Sequence, residues 1–158
     1  MRYALYFLWF IAILLVAGCR AGGDDVRSAA IASDRPPALD PRSVEQGEAI
    51  YAQQCAACHG VSLEGEADWK LQNPDGSFRA PPHDASGHTW HHSDAQLLDA
   101  ISFGGARLPA EVGGTSAMPA YASILSEQEI VAVLDFIKST WPEEQRLYQW
   151  ERTLQAQP

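Results

Sequence analysis

The feature that most constrains this chain is a run of five residues, Cys55-Ala-Ala-Cys58-His59. Two cysteines separated by two residues and followed at once by a histidine form the attachment pattern of c-type haem. The spacing suits this chemistry, because thioether bonds to the two haem vinyl groups hold the next side chain beneath the ring, where an imidazole can ligate iron. We therefore predict one covalently bound haem c on Cys55 and Cys58, with His59 as an axial iron ligand.

Other uses of a C-x-x-C pair fit this sequence less well. A thioredoxin-like pair is expected near a strand–helix–strand pattern, and no strand pattern occurs in the chain. A zinc site needs a second pair of ligands at comparable spacing, and the sequence offers none. A chance occurrence of the motif remains as the third alternative.

The N-terminal residues have the pattern of a bacterial lipoprotein signal. A run of fourteen apolar residues, 4–17, follows Arg2 and leads into Gly18 and Cys19. The run suits a signal-peptide core and is shorter than the roughly 20 residues that span a bilayer. We predict that residues 1–18 are a signal peptide and that Cys19 carries lipid. The alternative is an uncleaved anchor helix with a buried Cys19, and both predict a membrane-tethered domain outside the cytoplasm.

The next segment and the overall charge restrict the partners of the chain. Residues 19–42 are rich in Gly, Ala, Asp and Pro without periodicity, which predicts a lipid-anchored flexible tether. The whole chain has 20 acidic and 11 basic residues and a net charge of −9. A nucleic-acid partner is not expected, because phosphate binding depends on Lys and Arg.

Helical patterns occupy much of the remaining sequence, and the predicted class is all-α. Three potential capping boxes, each a serine with Gln or Glu three residues later, mark helix starts at Ser43, Ser93 and Ser126. Apolar residues from Ile130 to Ile137 follow helical spacing after the third box. A C-terminal helical tail is predicted over residues 142–158. Its apolar stripe is predicted to consist of Leu147, Trp150 and Leu154.

The sequence resembles class I (monohaem) cytochromes c over residues 43–141. Gly47 and Tyr51, which precede the C-x-x-C-H motif, resemble the first helix of that family. The resemblance implies a small all-α haem domain in which this helix crosses the last one. It also implies that Gly47 and Tyr51 meet Val133 and Phe136 at the crossing.

Two further motifs of the resemblance concern the iron. Met118-Pro-Ala-Tyr121 resembles the axial-methionine loop of the family, and Ala80-Pro81-Pro82 resembles its conserved proline segment. The resemblance implies that Met118 is the second axial ligand. It also implies that the Pro81 carbonyl accepts the ring N–H of His59.

Four of the five histidines lie in residues 83–92, a segment that is not a general feature of the family. One interpretation is that Trp90 and one or two histidines donate hydrogen bonds to the haem propionates. The other is a second metal site, for copper or zinc, because imidazole suits both metals. The candidate residues for either role are His83, His88, Trp90, His91 and His92.

A haem iron with two protein ligands has no open position for a substrate, so the chain is predicted to carry single electrons rather than to act as an enzyme. Its expected partner is a membrane-bound redox protein, either an oxidase or a quinol-oxidising complex. The alternative is a haem protein with an additional copper site in the histidine cluster, acting in metal handling or as an accessory oxidase subunit. In both cases the haem domain is expected in the periplasm or elsewhere outside the cytoplasm of a bacterium.

Overall fold

The structure, a computed structural model, describes residues 35–157. The predicted signal peptide, Cys19 and most of the tether therefore lie outside the described residues. The described part is helical, and its only β-type pairings are isolated bridges. The five α-helices are α1 (Pro41–Gln54), α2 (Ala56–His59), α3 (Asp94–Phe103), α4 (Glu127–Ser139) and α5 (Glu143–Gln155). Short 3-10 helices lie at Thr89–His91, Gly104–Arg107 and Ala110–Val112. No helix within this part has both the length and the apolar composition to cross a bilayer.

Helix α1 crosses α4, and Gly47 lies at the point of closest approach. A Cβ atom at position 47 would overlap the carbonyl group of Ala132 and would lie 2.9 Å from the Cβ of Phe136. One turn later the ring of Tyr51 contacts that of Phe136, with 5.3 Å between their centroids. The predicted contact of Gly47 and Tyr51 with the last helix is thus present, and the backbone that closes on Gly47 is that of Ala132.

Two of the three predicted capping boxes are present. The hydroxyls of Ser93 and Ser126 accept hydrogen bonds from the backbone N–H groups of Gln96 and Glu129, whose side chains bond back to the serine backbone. Such reciprocal bonds satisfy donors that a helix start otherwise leaves free. The capping box predicted at Ser43 is absent, and that prediction was wrong.

Helix α1 begins at Pro41, two residues before Ser43, with Asp40 as the N-cap. A proline suits the first helical position because its missing N–H would have no partner there. The hydroxyl of Ser43 instead donates to the carboxylate of Asp135 on α4, at 2.7 Å. Ser43 therefore connects two helices rather than starting one.

The tail helix α5 forms, but it does not dock through the predicted stripe. Leu147 is exposed, Trp150 and Leu154 are half-buried, and the buried residues of the helix are Gln149 and Thr153. Gln149 donates to the backbone carbonyl of His92 and to the carboxylate of Asp94. The fully buried positions of α5 are therefore polar and held by hydrogen bonds.

The Asp94 carboxylate is the centre of this polar contact. It pairs with the ammonium group of Lys138, which is almost buried on α4. The backbone N–H of Asp94 donates to the hydroxyl of Thr153 at 3.0 Å. A buried charge is stable only when it is paired and hydrogen-bonded, so these contacts tie α3, α4 and α5 together.

Candidate haem site

His59 ends the short helix α2 and is buried, with 7% of its surface exposed. Its Nδ1 lies 2.9 Å from the carbonyl oxygen of Pro81. A carbonyl can only accept a hydrogen bond, so Nδ1 carries the proton. Burial lowers the pKa of His59, which favours the neutral ring. In this tautomer Nε2 keeps its lone pair, and the imidazole is prepared to bind a metal ion.

The two motif cysteines stand where α1 passes into α2. Cys55 is half-buried, Cys58 is exposed, and neither forms a disulfide. Burial, and after it the neighbouring Cys58, raises the pKa of the Cys55 thiol to about 11. Catalytic C-x-x-C thiols have lowered pKa values instead. The Cys55 thiol therefore lacks the lowered pKa of a thiol–disulfide exchange centre.

Met118 lies in the loop between α3 and α4, partly buried against the hydrophobic core. The N–H of Gly105 donates to the Met118 carbonyl at 2.8 Å, which holds one side of the loop. The hydroxyl of Tyr121 donates to the carbonyl of Gln54 at 2.7 Å. Since Gln54 directly precedes Cys55, this bond ties the Met118 loop to the haem-attachment motif.

The segment of residues 83–92 does not bring its histidines to one centre. His83 stacks on His59, whereas His88 stacks on Trp69 and meets His92 edge-on. His91 contacts Trp90 and Tyr148. Within residues 35–157, no group of three or more His, Cys, Asp or Glu side chains is arranged to hold a metal ion. The copper or zinc interpretation of the cluster has no support from this part of the chain.

Two side chains of the same segment fit the predicted haem. The ring nitrogens Nε1 of Trp90 and Nδ1 of His88 are buried and have no hydrogen-bond partner among the described residues. Buried N–H donors without a partner are costly and rare in proteins. The Trp90 nitrogen is a donor, and the His88 nitrogen is one in the tautomer that carries its proton there; haem propionates would supply acceptor oxygens, so the residues present are compatible with the group that the motif predicts.

Several contributors to the site could not be found from the sequence. The hydroxyl of Tyr51 donates to the Gly60 carbonyl at 3.1 Å and so closes the turn after His59. Tyr148 of α5 packs edge-on against Trp90, and Trp69 covers His88. No local pattern marks Tyr148 or Trp69, because each meets its partner only through the folding of a distant segment.

These features define a helical protein that binds one haem covalently through a C-x-x-C-H motif. A family model described as cytochrome c matches residues 44–141, and the chain belongs to that family. It is a class I monohaem c-type cytochrome with one haem c, attached through the motif that contains Cys55 and Cys58. The predicted fold class and cofactor are thereby confirmed.

Other comparisons add little. No curated protein matches the sequence. Among solved structures, the chain is similar to cytochrome CL from the marine methylotrophic bacterium Methylophaga aminisulfidivorans MPT, with 19% identity and a TM-score of 0.45. This similarity covers 75% of the present chain and 69% of the other.

Proposed function

We propose that this cytochrome c carries single electrons on an iron ligated by His59 and Met118, with Cys55 and Cys58 as the thioether residues. The observation that carries the proposal is the hydrogen bond from Nδ1 of His59 to Pro81, because it places the proton on Nδ1 and leaves Nε2 free for iron. When bound, the haem supplies a one-electron iron couple.

The position of the Met118 loop supports the second ligand. The loop is fixed at the Met118 carbonyl by Gly105 and at Tyr121 by the bond to Gln54. His83 is the histidine least suited to replace Met118, since it stacks on His59 and two axial ligands must approach the iron from opposite faces. A His/Met pair fills both axial positions and raises the reduction potential, as in cytochromes c that carry electrons.

Variants of Met118 in the haem-loaded protein test this ligand. Met118→Leu preserves much of the side-chain volume and removes the thioether sulfur, and Met118→Ala removes both. In both variants we expect loss of the ferric thioether charge-transfer band and a lower reduction potential. A matched control is Leu125→Met, which places a thioether at another partly buried position of the core and should keep the band. Absence of the band from the wild type, or an unchanged potential in Met118→Leu, would exclude Met118.

The haem domains of this family usually work outside the cytoplasm, and we infer that this one is tethered to a bacterial membrane through lipid on Cys19. The motivation is the apolar run of residues 4–17 that leads into Gly18 and Cys19, followed by a segment rich in Gly, Ala, Asp and Pro. Mass spectrometry of the native protein should find a lipidated Cys19 as the first residue. Cys19→Ala should abolish the lipid modification. An intact, unmodified Met1 in the native protein would contradict the lipid anchor and favour the uncleaved anchor helix.

We also infer that the electron partner is a membrane-bound redox protein, either an oxidase or a quinol-oxidising complex. The anchor would hold the cytochrome near such a partner, and the net charge of −9 favours a basic docking patch on it. Charge-steered docking predicts that transfer rates fall as ionic strength rises. A flat salt dependence would instead mean that docking uses an uncharged surface.

A further inference from the structure

His83 forms the most unusual contact of the site. Its imidazole lies nearly parallel to that of His59, with 4.0 Å between ring centroids and 23° between the planes. The edge of its ring faces Tyr51, at 6.3 Å and 73°. The His83 ring is thus held against one face of the proposed axial ligand.

A hydrogen bond fixes the rotation of the His83 ring. Its Nδ1 lies 2.9 Å from the hydroxyl oxygen of Thr89, a residue with only 6% of its surface exposed. That hydroxyl donates its own proton to the carbonyl of Pro82, at 3.2 Å. Because the proton of Thr89 is engaged there, its oxygen accepts from Nδ1–H of His83. The ring therefore cannot turn without breaking this bond.

The backbone of His83 is fixed as well. Its N–H donates to the carbonyl of Leu63 at 2.8 Å, and its carbonyl accepts from the indole N–H of Trp141 at 2.7 Å. Leu63 and Trp141 are both buried. The backbone of His83 is therefore held by hydrogen bonds to buried residues of the core.

We propose that His83 is a positioning residue that fixes the plane of the His59 imidazole by stacking face-to-face on it. The bond to Pro81 holds Nδ1 of His59 at one point, but a single hydrogen bond still lets the ring rock about that point. A flat, rigid neighbour at 4.0 Å restricts this rocking, because tilting the ring would bring the two imidazoles into overlap. Groups that orient a metal ligand in this way influence the electronic state of the metal.

The proposal rests on the proposed function, because it requires that His59 ligates the iron. Its test uses three variants of the full-length, haem-loaded protein. His83→Phe loses the hydrogen bond to Thr89 but keeps a flat ring, and the larger phenyl group is held in place by packing alone. His83→Leu keeps an apolar side chain of useful volume and loses the flat ring. Thr89→Val keeps His83 and removes the hydroxyl that holds it.

The measurements are the hyperfine-shifted haem methyl signals in proton NMR and the g-values in electron paramagnetic resonance of the ferric protein. Both depend on the orientation of the axial ligand planes. We expect His83→Phe to keep the order and spread of the methyl signals and His83→Leu to change them. An unchanged pattern in His83→Leu, or a pattern in His83→Phe changed as much as in His83→Leu, would overturn the proposal.

If His83→Leu fails to fold, the Thr89→Val variant tests whether His83 fixes the plane of His59. Release of the His83 ring should then shift or broaden the methyl signals, and an unaltered spectrum would refute the positioning role.

The optical spectrum separates this question from the proposed function. A wild type without the thioether charge-transfer band contradicts the His59/Met118 ligation itself. An intact band with unchanged methyl signals contradicts only the role of His83.

Discussion

Enlarging Gly47 should separate α1 from α4 and destabilise the haem domain. A Cβ atom on residue 47 would lie 2.5 Å from the carbonyl carbon of Ala132 and 2.9 Å from the Cβ of Phe136. Neither of these atoms belongs to the end of a flexible side chain, so relief requires one helix to move. Overpacking of this kind costs about 1–3 kcal/mol. Replacing glycine by alanine inside a helix returns about 0.5–1 kcal/mol.

With mid-range values of about 2 kcal/mol for the clash and about 0.75 kcal/mol for the gain, the net loss for Gly47→Ala should be about 1 kcal/mol. The loss for Gly47→Leu should be about 3 kcal/mol or more. For a domain of this size, each kcal/mol lowers the melting temperature by about 4 °C. Guanidinium unfolding of the haem-loaded protein, followed by circular dichroism, measures the free energy of unfolding directly. Ala52→Leu, on the exposed side of the same helix, adds bulk without a clash and should change stability by less than about 0.5 kcal/mol.

A Gly47→Ala variant that is as stable as the wild type, or more stable, would refute the prediction that added bulk at position 47 destabilises the domain. In that case the helix-propensity gain would outweigh the contact, and the two helices would be able to separate slightly without loss of core packing. A destabilised Ala52→Leu would likewise show that the assay reports added bulk anywhere on α1 rather than the crossing.

Three further predictions concern the hydrogen bonds of Tyr121, the hydrogen bonds of Gln149 and the titration of His92. Tyr121→Phe removes the hydrogen bond to Gln54, which should cost about 1 kcal/mol. On heating, the thioether charge-transfer band should disappear at a lower temperature in this variant than in the wild type, and loss of the band at the same temperature would contradict this. Gln149→Ala should cost about 1–3 kcal/mol, because it removes a buried amide and the donor that it supplies to the His92 carbonyl, whereas Gln155→Ala on the exposed side of α5 should cost almost nothing. Burial, and after it the nearby Arg107, lowers the pKa of His92 below 6.5. Below about pH 6.5 the unfolded chain protonates His92, whereas the folded chain does so only at lower pH. As the pH falls below 6.5, the free energy of unfolding should therefore fall by at most about 1.4 kcal/mol per pH unit for this residue. His92→Gln should flatten this slope.

The polar docking of α5 shows why the sequence misplaced the buried face of the tail. An apolar stripe of Leu147, Trp150 and Leu154 is the usual signal of a buried helix face. Here the surface to be covered contains the Asp94 carboxylate and the His92 carbonyl, which need donors. Gln149 can supply them and leucine cannot. Which face a helix buries depends on its partner surface, and that surface comes from residues more than fifty positions away.

The sequence alone determined the features that depend on neighbours within one or two helical turns. The haem motif is complete within five consecutive residues, and each confirmed capping box closes a loop between positions three apart. Such bonds form at little entropic cost, so the local pattern decides them. Only the tertiary structure decided that Ser43 bonds to Asp135 and that His83 stacks on His59. These contacts join segments that compete with many other partners, and packing of the whole core selects among them.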